Sequence, residues 1–208
     1  IWAISGYNGM VNKEETVSNA WANVEAAYQR RADLIPQLVN TVKGYANHEK
    51  TTLDAVVSAR TKATQMTVDV GELTEENIQK YQEAQGEVGA AIGRLLAITE
   101  SYPELKANEN FSELQAQLEG TENRINEVRK NYNASVKEYN VSVRKFPNNI
   151  LAGMFGFERK AEFKAEEKPH QSENAWIKWA SLAACFCLIM SLSMYFALKN
   201  PFAEPGGN

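Results

Sequence analysis

From Val17 onward, apolar side chains fall at Val17, Trp21, Val24, Tyr28, Ile35, Leu38, Val42 and Tyr45, every third or fourth residue, with only Arg31 interrupting the series. That spacing is a heptad seam. It lays one apolar stripe along a helix, and such a rod persists in water only if the stripe is covered. The pattern returns at Ile78, Tyr81, Gln85, Val88, Ile92 and Leu95. It is most regular from Phe111 through Leu114, Leu118, Thr121, Ile125, Val128, Tyr132, Val136 and Tyr139 to Val143. A shorter segment at about 48–65 offers Leu53, Val56, Val57 and Arg60 as its inward face. Striped rods of this kind bury their faces against one another, so the expected fold is all-α: an antiparallel, up-and-down four-helix bundle of long helices over residues 12–157.

Punctuation residues place the helix ends. The first helix is expected over about 12–45, with Pro36 removing one amide donor and Gly44 weakening the end just before Asn47, a possible cap for the second. A single kinked rod through both is the alternative. Gly71 marks a turn, and Thr74 ahead of Glu75 and Glu76 reads as a helix start, with a hydroxyl cap and carboxylates at the positive end of the dipole. Tyr102-Pro103 stops that helix and Phe146-Pro147 stops the last. Ile150 to Phe157 is apolar but too short to span a membrane; it either folds over the bundle end or lies at the membrane surface.

Residues 158–175 alternate charges around Pro169 and read as a flexible linker. Beyond it, Trp179 to Leu198 is an uncharged run of twenty residues. At helical rise it spans about 30 Å, the thickness of a hydrocarbon core. With Trp176, Trp179 and Tyr195 at its ends, it is expected to be a C-terminal transmembrane helix over 176–199, followed by a short tail at 200–208. At the other end, residues 1–5 (IWAIS) read as the last turn of a truncated N-terminal membrane segment. Lipid bilayer is therefore an expected partner. Arg159, Lys160, Lys164, Lys168 and Lys178 precede the membrane helix and only Lys199 follows, so the positive-inside tendency favours a cytoplasmic bundle.

The chemistry a helical bundle can hold is narrowed by residue counts. A dinuclear metal site needs Glu-x-x-His pairs on two helices. The chain has two histidines, His48 and His170; His48 follows no glutamate by three residues, and His170, which does follow Glu167, lies beyond the expected bundle, so two such pairs are not available. A hydrolytic triad and a glycine-rich phosphate loop find no support either, so no catalytic residue, cofactor or metal is expected. A net charge of -4 with both signs interspersed provides no basic face for nucleic acid. Cys185 and Cys187 lie inside the apolar run and cannot clamp the bundle.

Three blocks resemble LemA family proteins: Trp21 to Ala46 (WANVEAAYQRRADLIPQLVNTVKGYA), Leu105 to Ile125 (LKANENFSELQAQLEGTENRI) and Phe146 to Gly153 (FPNNILAG). The resemblance implies an N-terminal membrane segment followed by a helical bundle on one side of a bacterial inner membrane, and it implies no reaction. A membrane helix after Gln171 departs from the family pattern, which leaves one membrane pass or two.

Two features stand out as candidate sites. Arg31 and Gln85 sit where seams want apolar residues, and a buried arginine needs a carboxylate; Glu119, Glu122 and Asp33 are candidates. Gly86, Gly89, Ala90, Gly93 and Ala97 form a small-residue stripe opposite Val88, Ile92 and Leu95. Each mid-helix glycine costs about 1 kcal/mol relative to alanine, so the stripe is expected to receive another helix, from this bundle or from a neighbouring subunit. The function these features suggest is a non-enzymatic membrane scaffold or assembly factor, homo-oligomeric or bound to a membrane protein. The alternative is an accessory subunit of a membrane protease or transport complex.

Overall fold

The computed structural model describes residues 2–46 and 48–164. Among them the chain is helical, with no strand: α1 (Trp2–Tyr45), α2 (Lys50–Gln65), a 3₁₀ turn (Val70–Glu72), α3 (Glu75–Thr99), α4 (Pro103–Lys106), α5 (Glu109–Arg144) and α6 (Asn148–Phe155). No helix among the described residues is long and apolar enough to cross a membrane. The apolar segment at 179–198, the linker from 165 onward and the tail at 200–208 lie outside the described residues, as does Asn47.

Cross-helix bonds fix the directions. Along α1, Lys13 meets Glu138, Arg31 meets Glu122 and Tyr45 meets Asn108, so α5 runs antiparallel to α1. Between α2 and α3, Lys62 meets Glu87, while Tyr102 just after α3 reaches back to Glu49 just before α2. The seams drive this packing: every seam residue named on α5, from Phe111 to Val143, is buried, and so are all six on α3. Thr74 Oγ1 caps α3 by accepting the Asn77 amide at 3.3 Å, and Asn108 Oδ1 caps α5 by accepting the Phe111 amide at 3.0 Å. Each such cap is worth about 1 kcal/mol.

The helices differ from expectation in three places, two at their boundaries and one on an inward face. The first helix begins at Trp2, ten residues before Asn12, because Gly6 and Gly9 weaken a helix without ending one and fully buried Met10 anchors the extension. The second begins at Lys50, with Glu49 before it making no side-chain cap bond. On α2, Val57 is 45% exposed and Ala63 takes the inward place, since the stride Leu53, Val56, Ala63 follows one face and Val57 lies off it.

Among the described residues, only half of the bundle has four helices side by side. With 16 residues, α2 is about 24 Å long against about 66 Å for α1, and it covers only the half where α1 ends and α5 begins. Packed there are Leu34, Leu38, Val56, Leu95, Leu105 and Phe111. In the other half, α1 and α5 close around Met10, Trp21, Tyr132 and Tyr139, and the places of the missing helices are taken by the 66–73 turn, by α6 and by residues 157–164.

That last segment corrects the linker assignment at its start. Residues 158–164 lie against the bundle as an extended strap. Asn140 donates to the Lys160 carbonyl (2.8 Å) and accepts from the Lys160 amide (3.0 Å); Asn133 does the same for Phe163 (2.9 and 2.8 Å). Tyr132 donates to the Ala161 carbonyl, and the Ala161 amide donates to Leu73 O at 2.8 Å. Phe163 is buried, stacked on Trp21 at 5.9 Å between centroids and edge-on to Tyr132 at 5.4 Å. Lys160, 8% exposed, forms an ion pair with Glu14 at 3.0 Å. Charged residues in the sequence suggested solvation, but here the backbone of the strap is paired through side-chain amides and its one large aromatic completes the core.

Candidate functional site

Arg31 lies on the inner face of α1, where the two halves of the core meet. Its guanidinium is 4% exposed and ties three helices together. Nη1 donates to Glu122 Oε1 on α5 at 2.7 Å; Nη2 donates to Gln85 O at 2.7 Å and Gln85 Oε1 at 3.0 Å on α3. The group also stands over the Tyr28 ring, 5.0 Å from its centroid. Nε has no hydrogen-bond partner among the described residues. Of the carboxylates considered from sequence, Glu122 is the one engaged. Glu119 is exposed, and Asp33 accepts from Gln29 on its own helix. The polar layer thus separates an aromatic-rich cluster from an aliphatic one.

Beside the layer is a cleft of about 100 Å³ whose lining includes Glu25, Tyr28, Arg31, Arg60, Tyr81 and Gln85. Arg60, on α2, uses Nε to donate to Ala32 O at 2.8 Å. Burial pushes the Glu25 carboxyl up from its ordinary range; the Trp21 side chain works against this, and the Asp69 carboxylate adds to it. Burial also raises the Tyr81 hydroxyl, with Tyr28 and Glu25 contributing in the same direction. Every one of these shifts disfavours the charged form. Among the described residues, no group of His, Cys, Asp and Glu is placed to hold a metal ion.

The small-residue stripe of α3 faces outward. Gly86, Ala90, Gly93 and Ala97 are exposed and Gly89 is half-buried. A Cβ built at Gly86 or Gly93 would meet nothing, and one at Gly89 would meet only Arg31 Nη1, at 3.6 Å. No helix of the described chain therefore uses the stripe for close approach. The structure does not bring it together with the arginine layer except at Gly89.

Sequence reasoning missed the strap and its clamps. Its signal was the pair Tyr132-Asn133 and its repeat Tyr139-Asn140, one heptad on. Two helical turns rise about 10.5 Å, close to the span of about 10 Å for three residues of extended chain. That match lets Asn140 hold residue 160 while Asn133 holds residue 163.

What the fold and these sites define is an all-helical bundle whose buried polar groups brace helix against helix. The chain belongs to the LemA family: the family's profile matches residues 20–178. It is similar to Magnetosome protein MamQ 2 of Paramagnetospirillum magneticum and to Magnetosome protein MamQ of Magnetospirillum gryphiswaldense. Each is 28% identical over 180 residues, covering 78% of this chain and 65% of the relative. It is also similar to Protein LemA of Metamycoplasma hominis, 24% identical over 160 residues, covering 77% of this chain and 69% of that protein. The chain thus spans about two thirds of the length of its bacterial relatives.

Proposed function

We propose that this protein is a non-catalytic helical scaffold held at a bacterial inner membrane, which assembles with further copies of itself through the outward face of α3. The observation that carries the proposal is the exposed stripe of Gly86, Gly89, Ala90, Gly93 and Ala97. Three glycines in mid-helix sacrifice about 3 kcal/mol of helix propensity, and nothing within the described chain recovers it. A partner helix seated on the stripe would, since small residues let backbones approach closely. Two of the relatives are named for a cell structure, the magnetosome, and not for a reaction, which supports a structural role. The basic residues before the 179–198 segment favour a cytoplasmic bundle.

The alternative, an accessory subunit of a membrane protease or transport complex, uses the same face for a different helix. Mass measurement in mild detergent separates the two. A self-assembled particle that Gly89→Leu with Gly93→Leu reduces to a monomer of unchanged helicity supports the scaffold. A wild-type monomer, or a variant of unchanged mass, refutes it; a stoichiometric partner retained through purification favours the accessory role.

A further inference from the structure

The bundle end at which α1 starts carries a continuous apolar surface. Residues 1–12 (IWAISGYNGMVN) and 146–157 (FPNNILAGMFGF) contain no Asp, Glu, Lys or Arg, although they are far apart in sequence and the rest of the bundle is densely charged. The structure brings them together. A Cβ at Gly6 would lie 2.9 Å from Asn148 Oδ1 and 3.2 Å from Leu151 Cδ1, so α6 packs directly on the first turns of α1. Tyr7 meets the rings of Phe155 and Phe157 edge-on, at 4.9 and 5.5 Å.

Through this contact α6 becomes two-sided. Leu151 and Ala152 are buried toward the bundle, while Ile150, Met154 and Phe155 are 53%, 73% and 58% exposed. Beside them Phe146, Trp2 and Ile4 are exposed as well. Ala3, Ile4, Tyr7 and Phe155 line a groove of about 260 Å³. Among the described residues, the two exposed large apolar residues away from this end and the last turn of α5, Tyr45 and Val57, stand singly, as on any protein surface. A gathered patch of this kind marks an interaction site.

We propose that this end is a membrane foot: the outer face of α6 and the first turns of α1 sit in the headgroup and upper acyl layer of the bilayer. Its composition fits lipid. Aromatic and aliphatic side chains are mixed as in helices that lie in the interface plane. Arg144, Lys145 and Arg159 are exposed at the borders of the charge-free 146–157 segment, with Glu158 the one acid among them; that balance suits an anionic lipid surface. The foot is independent of self-assembly through α3 and shares with the scaffold reading only its location at a membrane.

The test uses the full chain reconstituted in vesicles of phosphatidylcholine and phosphatidylglycerol, with Cys185 and Cys187 replaced by serine. A single cysteine is placed at Met154→Cys, or at Ser112→Cys as an exposed control near the other end of the bundle, and labelled with an environment-sensitive fluorophore. Brominated lipid should quench the label at 154 at least about twofold more than the label at 112. Adding Ile150→Asp should reduce that quenching while helicity stays unchanged. Equal quenching at 154 and 112, with equal access to aqueous iodide, overturns the proposal. Shielding from iodide without quenching by brominated lipid overturns it too, because a second protein copy would then cover the patch. Neither outcome alters the oligomer mass on which the scaffold reading stands.

Discussion

Truncating Arg31 tests whether the polar layer at the middle of the bundle carries structural weight. Arg31→Ala removes three things. The pair with Glu122 is worth only about 1 kcal/mol, because that carboxylate is 47% exposed and turns readily to water. Gln85 Oε1, on a residue 8% exposed, loses a charged donor at a cost of about 1–3 kcal/mol. The arginine stem leaves a hole that adjoins the cleft and is worth about another 1 kcal/mol after hydration. The sum is about 3–5 kcal/mol, or a fall of about 1.5–2.5 M in the urea midpoint at a slope near 2 kcal/mol/M. The measurement is far-UV circular dichroism in mild detergent. The companion variant, Arg31→Met with Gln85→Leu, removes donor and acceptor together and joins the two apolar clusters; it should lie within about 1 kcal/mol of wild type or above it. If Arg31→Ala shifts the transition by less than 1 kcal/mol, or the double variant is as damaged as the single one, the layer is not what braces α1 to α3 and α5.

Asn133→Ala should free the strap, because it strands both the amide and the carbonyl of Phe163; tryptic cleavage within 159–164 is expected to accelerate about tenfold or more, with helicity unchanged. Glu25→Gln should raise the melting temperature at pH 7. Its carboxyl titrates higher in the folded state than in the unfolded, so ionisation costs stability above the folded pKa, and the difference between variant and wild type should vanish below about pH 4.

The heptad seams made the long helices legible because burial of one stripe is written in spacing alone, and α3 and α5 follow their seams residue by residue. The caps at Thr74 and Asn108 belong to the same local grammar. What spacing could not convey was that α2 is too short to line the whole bundle. Once it ends at Gln65, the half of the core around Trp21 and Tyr132 lacks a wall, and something from elsewhere in the chain must supply one. The strap does so with a single buried aromatic, Phe163, and with backbone groups whose partners are asparagine side chains on a helix. Composition sees the charges of residues 158–164 and misses the partners, since a hydrogen bond to backbone leaves no mark on the strap's own sequence.

The same asymmetry connects the candidate sites. At the end where α1 finishes, the turn before α2 and the caps around Asn108 close the bundle with hydrogen bonds among Glu49, Tyr102, Tyr45 and Asn108. At the end where α1 starts, closure is left to α6, which shields Leu151 and exposes Met154 and Phe155. A helix that covers one apolar surface by creating another is stable in water only at a cost, and the cost disappears if the second surface faces lipid. Arg31 stands between these regimes. Because its donors reach α3 and α5 at once, a slip of either helix along α1 would strand a buried charge, so the lower, aromatic half is held in register with the upper. The outward stripe of α3 crosses this level at Gly89, where an added Cβ would lie 3.6 Å from Arg31 Nη1, which places any helix seated on the stripe beside the layer of the core where register is fixed by charge.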